Sequence, residues 1–233
     1  MARLAVAVAL LVLVAGCGDD DDDALPQGSD PVEIDPSQFS AEIDHPFWPM
    51  AVGTVWVYRE GEQRVEVTVT DRTRAVMGVE TRVVHDLVTE NGVPVEDTFD
   101  WYAQDDEGNL WYFGEDTTEF EDGKPVGHAG AWEAGVDGAL PGIVLPAEPE
   151  VGMTYREEYY AGEAEDEAKV LSLDAAASVP YGDFTDALQT EDTTRLEPGL
   201  VEQKFYARDV GPVLAVAVKG ETGREELVTH TTR

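Results

Sequence analysis

Cysteine is almost absent from this sequence: Cys17 is the only one in 233 residues, so no disulfide can form within one chain. Basic residues are also few, with 15 Lys and Arg against 49 Asp and Glu and a formal net charge of −34. A surface with this charge repels phosphate backbones and anionic lipid headgroups, which excludes nucleic acid as a partner. Stability must therefore come from packing and not from covalent cross-links.

Long hydrophobic runs are missing as well. The unbroken apolar run 4–14 is far shorter than the roughly 20 residues that a transmembrane helix needs. It follows a positive residue, Arg3, and has the length of the apolar region of a secretory signal peptide. The sequence therefore predicts that residues 1–16 are a signal peptide that is removed from the mature protein.

The end of this signal, Leu13-Val14-Ala15-Gly16-Cys17, resembles the lipobox of bacterial lipoproteins. In that family the cysteine thiol receives a diacylglycerol group, the signal is cut before the cysteine, and the new amino group is usually acylated. The resemblance implies that Cys17 carries palmitate or related chains and anchors the protein in a membrane of the cell envelope, on the extracytoplasmic side. Two or more acyl chains anchor a protein stably, whereas one is marginal. The alternative is an ordinary secretory signal that happens to contain a cysteine.

Residues 17–45 have the composition of a flexible tether. They include the acidic run 19–23 and are rich in Asp, Pro, Ser and Gln but poor in large apolar residues. Such a segment buries too little apolar surface to offset its loss of conformational entropy. We therefore expect an acidic disordered tether, in which the run of carboxylates is a solvated spacer and not a specific metal site.

From residue 46 onward the pattern is that of β-strands. Residues 63–71 alternate valines with polar residues, which is typical of a strand with one buried and one wet face. Asn91-Gly92 is a strong hairpin signal, and the segment 106–109 is a second tight turn. Turns recur every 8–12 residues or so, as in all-β proteins. The sequence predicts an all-β fold with a curved antiparallel sheet or unclosed barrel.

Landmarks in the first part of this region recur in the same order about 100 residues later, which is too long a period for a solenoid. They are Gly53 with Gly152, Asp71 with Asp174, Gly78 with Gly182, and Tyr102 with Tyr206. The repetition predicts two related meander halves, 46–122 and 151–233, within one domain. The alternative is that any two antiparallel meanders look alike at this level of detail.

The halves are joined by residues 123–150, where glycine and proline are frequent and no period is clear. A segment of this length without secondary structure is typical of a functional lid or of a strap that crosses the sheet. Trp132 and the apolar run 143–145 indicate that it packs on the sheet. We expect Trp132 to lie near an opening of the sheet, and a plain connector between the halves is the alternative.

Several short motifs of the folded part are similar to those of uncharacterised bacterial lipoproteins, some of which are related to or shaped like the lipoprotein-carrier (LolA/LolB-like) folds. The motifs are 132–138 (WEAGVDG), 179–184 (VPYGDF), Phe205-Tyr206-Ala207 and Val210-Gly211. The resemblance implies a curved antiparallel sheet. It rests on glycine, proline and aromatic residues, so it carries no catalytic residue over to this chain.

Motifs for catalysis and for cofactors are missing. The four histidines share no metal-ligand spacing, no serine lies in a GxSxG elbow, and no glycine-rich phosphate loop follows a strand. We therefore expect no catalytic residue, no metal site and no cofactor, and a binding or scaffolding module of the cell envelope that is not an enzyme. The alternatives are an extracytoplasmic hydrolase and a protein that binds cations through its acidic surface. The sequence does not indicate an oligomeric state.

Aromatic residues are the best candidates for a binding surface. On a curved sheet, those on the concave side would line a cleft for an apolar or sugar ligand. The candidate residues are Trp101, Trp111, Tyr112, Trp132 and Tyr206. The alternative is that these side chains form an ordinary hydrophobic core.

Overall fold

The structure, a computed structural model, describes residues 25–232, and strands dominate it. The strands are β1 (Phe39–Ser40), β2 (Val55–Glu60), β3 (Gln63–Val76), β4 (Val79–Glu90), β5 (Val93–Asp105), β6 (Leu110–Glu121), β7 (Lys124–Gly127), β8 (Trp132–Glu133), β9 (Leu140–Leu145), β10 (Thr154–Arg156), β11 (Glu158–Tyr159), β12 (Asp166–Val179), β13 (Gly182–Thr194), β14 (Val201–Ala207), β15 (Gly211–Lys219) and β16 (Arg224–Thr231). One turn of 3-10 helix spans Pro36–Gln38. No helix among residues 25–232 is long and apolar enough to span a bilayer.

These strands form one antiparallel sheet that nearly closes on itself, which confirms the predicted all-β fold. Its path runs β10-β12-β13-β14-β15-β16-β2-β3-β4-β5-β6-β9-β11, with β1 paired to β5, and β7 and β8 paired to β6. The two ends of this path, β10 and β11, follow one another in the chain with Glu157 between them. Because β10 pairs with β12 while β11 pairs with β9, this short segment brings both edges together at one seam.

Two related halves make up the path, as the sequence predicts. The first consists of β2 to β6 and β9, and the second of β10 and β12 to β16. Their backbone bonds repeat: the amide of Gly53 donates to the carbonyl of Val69 at 2.9 Å. The amide of Gly152 donates to the carbonyl of Val170 at the same distance. The second half ends where the first begins, because β16 pairs with β2.

The two predicted turns are present. Asn91 and Gly92 both have positive φ, 53° and 78°, as a two-residue hairpin turn requires. In the turn between β5 and β6 the Asp105 carboxylate accepts hydrogen bonds from the amides of Glu107 and Asn109, at 3.1 and 2.8 Å. These short connections fix the pairing of β4 with β5 and of β5 with β6.

The glycine- and proline-rich segment 123–150 contains strands, which the sequence did not indicate. β9 pairs with β6 on one side and with β11 on the other, so it is part of the sheet. Pro141 and Gly142 conceal this strand in the sequence, because both residue types are rare inside strands. At Gly142 a Cβ atom would clash with the carbonyl oxygen of Glu157, so the close approach at the seam depends on glycine.

Residues 25–45 pack along the outside of the sheet, so the prediction of a disordered tether is wrong for them. β1 pairs with β5, and the ring of Phe39 lies edge-on to that of Trp111 at 5.8 Å. His45 is completely buried, and its Nε2 lies 3.0 Å from the carbonyl oxygen of Pro146. The few apolar residues of this segment suffice because the sheet offers them an apolar outer surface.

A buried arginine fixes the start of this N-terminal segment. Arg156 has no exposed surface, and its guanidinium donates to the carbonyl oxygens of Gly28 and Asp30 at 2.8 and 2.7 Å. It also donates twice to the carbonyl oxygen of Pro141 in β9. These bonds join the segment to the seam. The predicted signal peptide, the lipidation site Cys17 and the acidic run lie outside the described residues.

Candidate ligand-binding cavity

The inner face of the sheet changes from apolar to acidic along its strands. Successive side chains on a strand point to opposite faces, and on β2 the inward side chains are Trp56, Tyr58 and then Glu60. Cross-strand partners share a face, and the partner of Glu60 on β16 is Glu225. One end of the interior is thus filled with apolar side chains, and the other is lined with carboxylates.

A cavity of about 280 Å³ lies on this inner face, close to the lower size of ligand pockets. The aromatic residues that line it are Trp48, Tyr102, Tyr112 and Tyr206. The charged residues that line it are Glu115, Glu157, Glu158, Asp166 and Lys204. The cavity therefore combines flat apolar surfaces with an excess of carboxylates.

Trp48 stands between equivalent tyrosines of the two halves. Its ring centroid lies 5.5 Å from that of Tyr102 and 6.1 Å from that of Tyr206. The two tyrosines are only 8% and 2% exposed. Within residues 25–232 neither hydroxyl has a hydrogen-bond partner, and both residues line the cavity. A tyrosine hydroxyl can both donate and accept a hydrogen bond, so these two groups are available to a ligand in the cavity.

A third tyrosine, Tyr112, holds two carboxyl groups. Its hydroxyl lies 2.7 Å from Asp100 Oδ1 and 2.7 Å from Glu115 Oε2. A phenol has one hydrogen to donate, so one of these carboxyl groups is protonated when both hydrogen bonds are made. This agrees with the pKa of Asp100, which burial and the nearby Glu115 raise to about 7.

Carboxyl groups that line the cavity also have raised pKa values. Burial, together with the neighbouring Asp166, raises the pKa of Glu158 to about 8. Burial and the nearby Asp192 raise the pKa of Glu157 well above its ordinary value. Burial, together with the nearby Glu96 and Asp166, also raises the pKa of Glu115, despite hydrogen bonds that oppose it. A positive charge inside the cavity would favour the ionised form of all these groups.

Lys204 provides such a charge in the second half. Its Nζ lies 2.7 Å from Asp192 Oδ2, and its side chain keeps 34% exposure while the residue lines the cavity. Burial alone would lower the pKa of Lys204, but Asp192 and Glu157 raise it well above its ordinary value. The lysine is therefore charged at neutral pH and compensates its acidic neighbours.

The first half has an acid at the equivalent position. Asp100 stands two residues before the cavity tyrosine of β5, as Lys204 does in β14, and both face inward. Asp86 lies two residues after the cross-strand partner of Asp100, and Asp192 lies two residues after the cross-strand partner of Lys204, so these two aspartates are also equivalent. The buried Asp86 Oδ1 has no hydrogen-bond partner in the described part of the chain. Burial and the neighbouring Asp100 raise the pKa of Asp86 well above its ordinary value.

A second hollow, of about 480 Å³, lies at the acidic end of the inner face. Two pairs of carboxylates stand directly opposite one another on neighbouring strands there, Glu60 with Glu225 and Glu96 with Glu119. Like charges at such short range are unfavourable, and burial with Glu60 nearby raises the pKa of Glu225 to about 7. Among residues 25–232 no group of three or more His, Cys, Asp or Glu is arranged to hold a metal ion.

Three of the five aromatic residues predicted to bind ligand lie at the cavity. Tyr112 and Tyr206 line it. Trp132 lies behind them, with its ring edge-on to Tyr112 at 5.5 Å and its Nε1 donating to Glu158 at 2.9 Å. Trp132 is 5% exposed, so it is a core residue and not a lid over an opening.

The other two, Trp101 and Trp111, lie on the outer face of the sheet. The Arg74 guanidinium covers the Trp101 ring at 3.9 Å, and Trp111 Nε1 donates to Asp105 Oδ2 at 2.7 Å. Neighbouring residues on a strand point to opposite sides, so Trp101 and Tyr102 cannot both face the cavity. The prediction that placed these aromatic residues together on the concave side is corrected for the two tryptophans.

Sequence reasoning missed all five charged residues of the cavity and two of its four aromatic residues. They are Trp48, Tyr102, Glu115, Glu157, Glu158, Asp166 and Lys204. The acids give no signal of their own, because acids occur throughout the chain. Lys204 does give one: it is a cation at an inward position of a predicted strand, where a charge needs a partner. Trp48 precedes the first long strand and belongs to no periodic pattern.

Comparison with known proteins identifies no family. No protein-family profile matches the chain, and no curated protein is similar to it. Among solved structures, a presumed lipoprotein from Parabacteroides distasonis ATCC 8503 matches with a TM-score of 0.45 and 10% identity, over 79% of this chain and 98% of the other. A presumed exported protein with a YmcC-like fold from Bacteroides fragilis NCTC 9343 matches with a TM-score of 0.48 and 13% identity, over 80% and 99%. Similarity at this level does not show that the chain shares the role of either protein.

Proposed function

We propose that this chain is a lipid-anchored lipoprotein of the cell envelope, and that its folded part binds a small ligand in the interior cavity without converting it. The observation that supports binding most directly is that Tyr102 and Tyr206 line the cavity with hydroxyls that make no hydrogen bond to residues 25–232. A ligand that forms hydrogen bonds there would satisfy groups that the protein leaves open. The ring of Trp48 between them adds an apolar surface.

Lipid anchoring would account for how so acidic a protein stays at a membrane. A net charge of −34 gives no attraction to anionic headgroups, so the acyl chains on Cys17 would provide the attachment. The cavity would then meet ligands close to the bilayer. This combination supports a capture role in the envelope.

Binding is tested with the mature protein in detergent micelles, against a library of small amines, carboxylic acids, alcohols and sugars. A ligand of the cavity should raise Tm and change the tryptophan fluorescence, because a ligand that binds the folded state alone stabilises it. Tyr206→Phe removes one cavity hydroxyl and should weaken binding about three- to tenfold. Tyr181→Phe is the matched control, because Tyr181 is 41% exposed and lies outside the cavity. A library that changes neither signal would contradict the proposal.

The anchor is tested by fractionation of cells that express the full chain. Cys17→Ser removes the thiol that would receive the lipid, so the variant should move from the detergent phase to the aqueous phase. Ser29→Ala changes another small polar residue of the N-terminal segment and should leave the partition unchanged. Equal membrane partition of the Cys17→Ser protein and the unchanged protein would refute lipid attachment at this residue.

A further inference from the structure

The second half of the sheet shows how this interior holds an ammonium group. Lys204 Nζ lies 2.7 Å from Asp192 Oδ2 and 3.9 Å from Glu202 Oε2. Tyr206, two residues further along β14, faces the same side and lines the cavity with Lys204. Opposite charges this close favour the ionised form of both groups. The arrangement is a cation between carboxylates beside an aromatic surface.

The first half keeps the carboxylates and the aromatic surface but has an acid in place of the cation. Asp100 occupies the position of Lys204, and the buried Asp86 Oδ1 finds no partner among residues 25–232. Asp100 shares the Tyr112 hydroxyl with Glu115, and Glu115 lines the cavity. Of the carboxyl groups of Asp100 and Glu115, the one that is ionised therefore has no cation beside it among the described residues, whereas the acids around Lys204 do.

We propose that the ligand is a small organic ammonium ion, an inference that rests on the binding function proposed above. Its ammonium group lies beside Glu115 and supplies to the first half the charge that Lys204 supplies to the second. Its apolar body lies against the rings of Trp48, Tyr102 and Tyr206, and the faces of such rings attract cations. The two open tyrosine hydroxyls accept hydrogen bonds from the ammonium N–H groups.

The lining of the cavity favours this class over the other ligand classes. An anion would be repelled by the carboxylates, and a neutral sugar or alcohol would leave their charge uncompensated. A hard metal cation takes oxygen ligands and gains little from aromatic rings. An organic ammonium ion uses both the carboxylates and the rings. The acidic hollow on the same inner face raises the local concentration of cations and favours their entry.

Three probes of one shape separate these classes: benzylamine, benzyl alcohol and benzoate. Each is titrated into the mature protein in detergent micelles, with tryptophan fluorescence and Tm as readouts. Benzylamine should bind at least about tenfold more tightly than benzyl alcohol, because a desolvated charge pair is worth more than a neutral contact. Benzoate should show no binding.

Variants of the first half test where the ammonium group lies. Glu115→Gln keeps the shape of the side chain and removes its charge. It should therefore lower the affinity for benzylamine at least about tenfold and leave the affinity for benzyl alcohol unchanged. Asp116→Asn is the matched control, because Asp116 is the next residue of β6 and lies exposed on the outer face. Asp100→Lys places an ammonium group at the position equivalent to Lys204 and should prevent benzylamine binding. If Asp100→Lys fails to fold, Asp100→Asn should still lower the affinity for benzylamine without changing the affinity for benzyl alcohol.

The outcomes separate this inference from the function on which it rests. The ammonium inference would be refuted if benzylamine and benzyl alcohol bound equally tightly and Glu115→Gln bound benzylamine as tightly as the unchanged protein. The cavity would then be a site for neutral ligands. The ammonium inference would also be refuted if the protein bound an acid or a sugar of the library and did not bind benzylamine. If no library compound and no probe binds, the binding function itself is refuted together with the inference.

Discussion

At the scale of single residues, Trp132 connects the core to the cavity. It is 5% exposed, packs edge-on against Tyr112 and donates to Glu158. Trp132→Ala should therefore lower the free energy of unfolding by about 3–5 kcal/mol, because it deletes a large buried side chain and leaves a cavity. Denaturant unfolding measures this loss. Val126→Ala, at a side chain that is 56% exposed, is the control and should change stability by less than about 0.5 kcal/mol.

A smaller change at the same position isolates the hydrogen bond. Trp132→Phe keeps an aromatic ring but removes the N–H donor to Glu158, so it should cost less than the alanine variant. The lost donor also raises the pKa of Glu158 further, since that bond favours the ionised carboxylate. Near-native stability of Trp132→Ala would show that the residue is not part of the core.

The sequence does not predict which side chains of β5 and β6 face the interior. The period of two on β5 and β6 correctly indicates that Trp101 and Tyr102 lie on opposite faces, as do Trp111 and Tyr112. It does not say which face is the inner one, because both carry large apolar side chains. The structure resolves this: Arg74 and the N-terminal segment cover the outer tryptophans. Such covers come from distant parts of the chain, which local periodicity does not report.

At the scale of elements, the N-terminal segment 25–45 depends on Arg156. Arg156→Lys replaces a forked donor by a single ammonium group and leaves some of the buried carbonyl groups at the seam without partners. It should lower the free energy of unfolding by about 1–3 kcal/mol and speed proteolysis within the segment. Limited proteolysis with mass spectrometry gives both the rate and the cleavage sites.

Arg64→Lys is the control for this variant, since Arg64 pairs with Glu66 on the surface and its side chain is half exposed. Exposed ion pairs contribute little to stability, so the control should be cleaved at the same rate as the unchanged protein. Equal resistance of Arg156→Lys and Arg64→Lys would mean that packing of the apolar residues alone holds the segment.

The long strands were predictable, and the short irregular elements were not. β2 to β6 and β12 to β16 show alternation and clear turn residues, so local sequence specifies them. β9 contains Pro141 and Gly142, and its pairing comes from the seam. β1 and the segment around it have the composition of a tether and take their structure from the surface they cover. In both cases the deciding contacts are with residues far away in the sequence.

At the scale of the whole molecule, the acidic interior makes stability depend on pH. The folded protein keeps protons on Asp100, Glu225 and Glu158, whose pKa values are raised to about 7, about 7 and about 8. An unfolded chain has lost these protons at the same pH, so unfolding releases protons and becomes easier as pH rises. We expect Tm to fall from about pH 4.5, just above the ordinary pKa of these acids, to about pH 8, where the folded protein has lost the same protons.

Glu225→Gln tests the source of this slope. Glu225 faces Glu60 and Glu202, with Lys204 as the opposing cation, and burial is the largest cause of its raised pKa. Removing its charge should raise Tm at about pH 8 and change it little at about pH 4, which makes the pH slope shallower. Glu226→Gln is the control, because Glu226 faces outward and pairs with Arg224 at 2.9 Å. A Tm that rises with pH in the unchanged protein would contradict the account.

The architecture as a whole was open to prediction because it rests on repeated local signals. Alternation gave the all-β class, and the spaced landmarks gave two related halves, which the structure confirms. The seam was not predictable, since it joins edges that belong to different halves. The cavity was not predictable either, because its lining combines Trp48, ahead of the sheet, with inward residues from both halves.

The two halves pair with each other in the way that two identical chains pair in a symmetric dimer. A single half would have two exposed edge strands, the equivalents of β2 and β9. In a two-fold symmetric dimer the second copy would cover both edges. Tyr102 and Tyr206 would then be one residue meeting its own copy across the axis. Identical subunits must carry the same residue at the position now held by Asp100 and Lys204. Within one chain the two positions can differ, and Asp100 and Lys204 give the cavity an acidic side and a basic side.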